Sequence, residues 1–283
     1  MINRKLSRVA GIDPPLGGQR VPLLDASANS SKGLITEFLE WFGNLGIFFW
    51  QVVRAAVTPP FEFRELFQQL DEIGSKSLLL VSLAGGATGI VLSLQARYSL
   101  TRFGAKSLLP AALVFSVIRE TGPIITGLVV SGRVGAGIGA ELASMKVTEQ
   151  IDAIEASAVN PLRLLAAPRI LACILALPLL TLAADFCGLF MGWVAQALVE
   201  SVSLREFINS GFKGAHFNDL LPPTLKTMAF GLIIGLVACF QGMRTQGGAA
   251  GVGRAATSSV VLSSLFVILA DVVLVKLILI LFP

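Results

Sequence analysis

Histidine is almost missing from this chain; His216 is the single copy. One imidazole cannot build a multi-histidine metal site, and it leaves a histidine-based nucleophilic triad one residue to draw on. Cysteine is scarce too. Cys173, Cys187 and Cys239 all fall inside apolar runs, without metal-ligand or disulfide spacing, and read as small buried residues. Charge is thin: 14% of the 283 residues are Asp, Glu, Lys or Arg, where soluble domains average about 25%. The glycine-rich runs Gly135–Gly139 and Gly247–Gly253 keep neither the GxGxxG nor the GxxxxGK[ST] spacing, so no Lys–hydroxyl pair is offered to a phosphate and Mg²⁺. This chain therefore calls for no cofactor; if ATP powers it, a partner binds the ATP and its Mg. The net charge is +4, but Lys and Arg form no nucleic-acid stripe. They flank apolar runs, as headgroups and topology rules favour.

What the chain has in abundance is apolar sequence, 54% of residues, with a mean hydropathy of +0.77. Five runs approach the roughly 20 residues that cross a bilayer as a helix: Ser77–Gln95, Leu108–Val130, Ile170–Val199, Leu220–Phe240 and Thr257–Phe282. The expectation is an all-α integral membrane protein. Residues 1–33, with Pro14, Pro15, Gly17, Gly18 and the Ser/Asn-rich Ala26–Lys32, read as a disordered cytoplasmic tail, and not as a signal peptide, since no apolar run follows Arg4, Lys5 and Arg8. Residues 34–73 read as interfacial and amphipathic helices. Leu34–Val57 carries Trp41 and Trp50, suited to headgroup depth, and Phe61–Ile73 places Phe63, Leu66, Phe67 and Leu70 on one face of a surface-lying helix. Residues 74–283 form the spanning domain. With the N-terminus cytoplasmic, inner segments hold 14 Lys and Arg residues against five outside, the bias that topology rules expect. The pairs Gly85/Gly89, Gly188/Gly192, Gly231/Gly235 and Gly135/Gly139 keep GxxxG spacing, which lets helices approach closely and favours a packed bundle.

Two features could carry function. The first is Glu141–Pro161, in the largest inner loop, with Met145 and Lys146 near its start. Val147, Ile151, Ile154 and Ala158 make an apolar stripe, and Glu149, Asp152 and Glu155 an acidic one. Thr148 is placed as the N-cap, and Pro161 ends the helix at Asn160. Such a helix either lies solvated on the membrane or docks in a partner's groove; its acidic face is the wrong sign for anionic lipid. The second is a set of ionisable residues inside spans: Arg119, Glu120, Asp185, Lys226, Asp271 and Lys276. Each costs about 2.5–3.5 kcal/mol at a helix centre unless paired or wetted. They face a cavity or form structural ion pairs, and Lys276 can snorkel. Arg119 and Glu120 point about 100° apart and cannot both face one neighbour. Pro123 kinks the second span and frees the Arg119 carbonyl.

The runs Arg119-Glu-Thr-Gly-Pro123, Gly132-Arg-Val-Gly-Ala-Gly-Ile-Gly-Ala-Glu-Leu142 and Met145-Lys-Val-Thr-Glu-Gln-Ile-Asp-Ala-Ile-Glu155, followed by Asn160-Pro161, Pro168-Arg169 and Gly251-Val-Gly-Arg-Ala-Ala-Thr257, resemble the MlaE/YrbE permeases. These are membrane subunits of MCE-linked ABC lipid transporters. The resemblance runs from about Phe61 to the end; Asn160 stands where the family usually has Asp. It implies a homodimer in the inner membrane and two cytoplasmic ATPases gripping a coupling helix between the second and third spans. It also implies an MCE-domain protein on the outer side and phospholipid in a cavity between the permeases. On that reading Glu141, Met145, Lys146, Thr148, Glu149, Ile151, Asp152 and Glu155 serve ATPase docking, and Arg119, Glu120, Pro123, Asp185, Lys226 and Asp271 line the lipid pathway. Two other readings are weighed against it: a non-transporting membrane scaffold, and an ion-coupled secondary transporter using Asp185, Lys226 and Asp271.

Overall fold

The structure is a computed structural model that describes residues 34–57, 63–200, 202–213 and 217–281. It divides into two compact units, residues 1–44 and 45–283. The tail expected at 1–33, the Pro59–Pro60 break, His216 and Pro283 lie outside the described residues. Every described element is helical. Among them, five helices are long and apolar enough to cross a membrane: Phe63–Arg102, Lys106–Val147, Leu162–Glu200, Leu221–Met243 and Gly248–Leu281. Ahead of them runs α1 (Leu34–Val57).

The first spanning helix, α2 (Phe63–Arg102), is 40 residues long and unbroken. The amphipathic segment expected to lie apart on the surface is its first three turns. No proline separates the two parts, and the polar junction satisfies itself as helix. Lys76 Nζ meets Glu72 Oε1 at 2.7 Å, and Ser75 Oγ donates to the Asp71 carbonyl at 2.5 Å.

The second spanning helix is built in pieces: α3 (Leu109–Ser116), a π turn at Val117–Thr121, α4 (Gly122–Val130), a second π turn at Ser131–Gly135, and α5 (Ala136–Val147). The expected polar loop beginning at Gly132 is therefore helical to Val147. Gly139 sits at a close crossing, where an added Cβ would overlap the Ser259 side chain. Short α6 (Gln150–Ala156) follows, then a π turn at Leu162–Ala166 that leads into α7 (Ala167–Glu200). The chain closes with α8 (Leu204–Gly211), α9 (Phe217–Met243) and α10 (Gly248–Leu281).

Helix α7 is the hub, because three glycine pairs converge on it. A Cβ at Gly85 would lie 2.5 Å from the Ala184 carbonyl oxygen, one at Gly89 would overlap the Gly188 carbonyl, and one at Gly235 would lie 2.9 Å from Ile170 Cα. Ser93 Oγ donates to the Gly192 carbonyl at 2.9 Å across the same seam. Without a hydrophobic drive between helices in lipid, such backbone proximity is what packing can exploit. The glycine pairs are thus used within one chain, and they supply no argument for a dimer. Large apolar side chains are exposed along α2, α7 and α10, among them Leu79, Leu83, Leu179, Phe186, Val261, Leu265 and Val272. A face this apolar belongs against lipid or protein rather than water.

Candidate functional site

The site begins with Pro123. Its ring removes a donor and crowds the carbonyl four residues back, at Arg119. The backbone answers with the π turn: the Gly122 N–H bonds Val117 O, five residues back. The released Arg119 oxygen accepts from Lys226 Nζ of α9 at 3.0 Å. The same ammonium donates to Glu120 Oε2 at 3.0 Å and lies 2.9 Å from Asp271 Oδ1 of α10. The Asp271 contact is an ion pair off the line of a well-aligned hydrogen bond. One lysine therefore ties the kinked second span to the fourth and fifth spans.

Exposure grades the three side chains sharply: Lys226 is 1% exposed, Asp271 10% and Glu120 46%. A bare ammonium at that depth would be costly, and two carboxylates with a carbonyl give it a full set of acceptors. Arg119 points elsewhere. It is exposed, with its guanidinium 5.4 Å from the Phe115 ring centroid. Beside Lys226 an apolar groove runs between α9 and α10, lined by Leu221, Pro222, Leu225, Ala229, Leu274 and Ile278.

Asp185 does not join the cluster. It is buried on α7 with Oδ1 packed against Gly122, where an added Cβ would overlap it, and that oxygen has no hydrogen-bond partner among the described residues. Lys276 is exposed on α10. No group of three His, Cys, Asp or Glu suited to a metal occurs among the described residues.

The Glu141–Pro161 segment differs in detail from its sequence reading. Val147 ends α5, and Glu149, in the left-handed region at φ 59°, breaks the chain direction before α6. Thr148 is not an N-cap. Its hydroxyl turns back to the Ser144 carbonyl at 2.8 Å, the bond that a threonine in the last turn of a helix makes readily. Helix α6 ends at Ala156, and Ala158, at φ 61°, lies outside it. Asn160 and Pro161 open the next turn rather than close the last. Asn160 Oδ1 accepts from the Leu162 N–H at 2.9 Å, and proline suits a helix start. The apolar side of α6 survives these changes: Ile151 is buried and Ile154 half-buried against the core, with Met145 beside them. Glu149, Asp152 and Glu155 are exposed, and Asp152 Oδ1 holds Lys146 Nζ at 2.5 Å.

Glu141, which the resemblance placed among the docking residues, stands apart from α6 and its exposed acidic face. It sits on α5 and its Oε1 accepts from Arg169 Nη2 of α7 at 2.8 Å. The sequence marked Arg169 as an inner charge and as part of the Pro168-Arg169 run, with no sign of its partner. Arg133, counted the same way, donates from Nη1 to Ser77 Oγ at 2.6 Å, tying the second π turn to α2.

Membrane-length helices packed glycine to backbone, with a buried ion cluster beside an apolar groove, are the build of a multi-pass membrane protein. The family described as Permease MlaE matches residues 66–277. A probable ABC transporter permease protein of Rickettsia conorii is 34% identical over 250 residues, 88% of this chain and 96% of its own length. A probable ABC transporter permease protein of Synechocystis is 33% identical over 208 residues, 74% of this chain and 79% of its own. The chloroplast protein TRIGALACTOSYLDIACYLGLYCEROL 1 of Arabidopsis thaliana is 33% identical over 254 residues, 89% of this chain and 72% of its own. The chain belongs to the MlaE permease family. It is an ABC transporter permease, so ATP hydrolysis falls to a partner ATPase.

Proposed function

We propose that this chain moves phospholipid, as a homodimer in the inner membrane, between the bilayer and an MCE-domain partner on the far side, with the α6 end facing the cytoplasm. The observation that carries this reading is the pairing of an apolar groove between α9 and α10 with the buried Lys226 cluster at its wall. A mostly apolar site with a few convergent polar groups is what an amphiphile needs. Exposed Arg119, one residue from Glu120, offers a guanidinium, a group that binds phosphate well. The Arabidopsis relative, named for trigalactosyldiacylglycerol, bears the name of a glycolipid and so supports lipid as cargo. Exposed Glu149, Asp152 and Glu155 supply an acidic face for the ATPase, while Ile151 holds α6 to the bundle.

The test is mass spectrometry of lipids that stay with the purified permease–ATPase complex, before and after trapping with ATP and vanadate. Phospholipid held before trapping and lost on trapping supports the proposal. Equal lipid content in both states rejects it.

A further inference from the structure

The segment that carries α6 turns sharply at both ends. At one end lies the left-handed Glu149; at the other lie left-handed Ala158 and the π turn Leu162–Ala166. Left-handed non-glycine residues cost about 1–2 kcal/mol each. A displacement of α6 passes to α5 and α7 together only where those two helices are held to one another. Both pack on α9, and one side-chain bond joins them directly. The Arg169 side chain is 3% exposed, yet it sits in the first turn of α7 and uses Nη1 to hold the Leu165 carbonyl at 2.8 Å and Nη2 to hold Glu141 Oε1 at 2.8 Å. Its Nε has no partner among the described residues, so Glu141 is the only anion bonded to this buried guanidinium there. The Glu141 side chain is 53% exposed and has no steric need to turn inward. The pair closes the chain from 141 to 169 at its base and joins α5, which packs on α10, to α7, the hub against α2 and α9.

We infer that Glu141 and Arg169 are a positioning pair that makes α5 and α7 move as one body when the partner ATPase displaces α6. The inference rests on the function proposed above and adds the point at which force enters the bundle. A pair that only stabilised the fold would change how much complex survives, whereas a clasp changes how much lipid moves per ATP split.

The experiment uses the full chain with its ATPase in phospholipid vesicles and reads lipid moved per ATP hydrolysed, counted per intact complex. Glu141→Gln keeps the shape and removes the charge; Glu141→Asp keeps the charge and withdraws it by one methylene. Both are expected to keep the ATPase bound and hydrolysing while the ratio falls by at least about fivefold, the low end of measured site-to-site couplings. The reversed pair, Glu141→Arg with Arg169→Glu, is expected to recover most of the ratio. A wild-type ratio in either single variant overturns the inference. So does loss of the ATPase from the complex, which would make Glu141 a docking residue, and so does a folded reversed pair that recovers nothing. Wild-type complex that moves no lipid on ATP would instead overturn the function on which the inference stands.

Discussion

Replacing Lys226 by Met should be the most damaging single change in the ion cluster, and the structure sets the order of the rest. The ammonium is 1% exposed and serves Asp271, at 2.9 Å and 10% exposed, and Glu120, at 3.0 Å and 46% exposed. Removing one partner of a buried pair costs about 3–5 kcal/mol because the other charge is stranded. Lys226→Met strands Asp271 in this way. Glu120 is close enough to solvent or headgroups that its loss of a partner counts for about 1 kcal/mol or less. The Arg119 carbonyl, freed by Pro123, also loses its donor, which adds about 1–3 kcal/mol if water cannot reach it. Asp271→Asn should cost less than Lys226→Met, since Lys226 keeps Glu120 and the carbonyl, and Glu120→Gln should cost least. Lys226→Met with Asp271→Asn should recover much of the single-mutant loss, because the stranded carboxylate is gone. The assay is thermal unfolding of the detergent-purified protein across this double-mutant cycle. Additive losses, or Glu120→Gln as the worst of the three, would refute the assignment of Asp271 as the buried partner.

The seams and surfaces give three further expectations. Gly89→Ala should destabilise by about 1–3 kcal/mol through overpacking, because its methyl would overlap the Gly188 carbonyl, while Gly137→Ala, which meets nothing within 4 Å, should be neutral or slightly stabilising in the same thermal assay. Glu149→Lys with Glu155→Lys should release the ATPase from an otherwise folded permease at physiological salt; retained co-purification would show that the exposed acidic face of α6 is merely solvated. Arg119→Ala, and separately Glu120→Ala, should lower lipid transport per intact complex while ATPase binding persists, and wild-type transport in both would remove these residues from the lipid pathway.

The five spans were legible because apolar runs of bilayer length announce themselves. Where each helix ends was not. Phe63–Ile73 and Gly132–Val147 look polar enough to leave the membrane, yet both continue the neighbouring span, because side chains such as Lys76 and Glu72 satisfy each other one turn apart. Pro123 was readable as a disruption at Arg119, since proline chemistry is local; that Lys226 would take the freed carbonyl was not, since the two lie on different spans. Asp185 had the same residue-level credentials as Asp271 and faces Gly122 instead, a choice fixed by helix rotation. Thr148 was a fair N-cap by type, but the left-handed turn at Glu149 changed its role. Glu141 and Arg169 gave no local sign of each other because 28 positions separate them.

The central claim, that ATP split by a partner drives phospholipid through this chain, is tested most directly in vesicles holding the permease, its ATPase and the MCE-domain acceptor, with labelled phospholipid as cargo. The account predicts lipid transfer that needs hydrolysable ATP, stops with vanadate and is indifferent to an imposed proton or sodium gradient. Transfer that follows the ion gradient with ATP absent would contradict it.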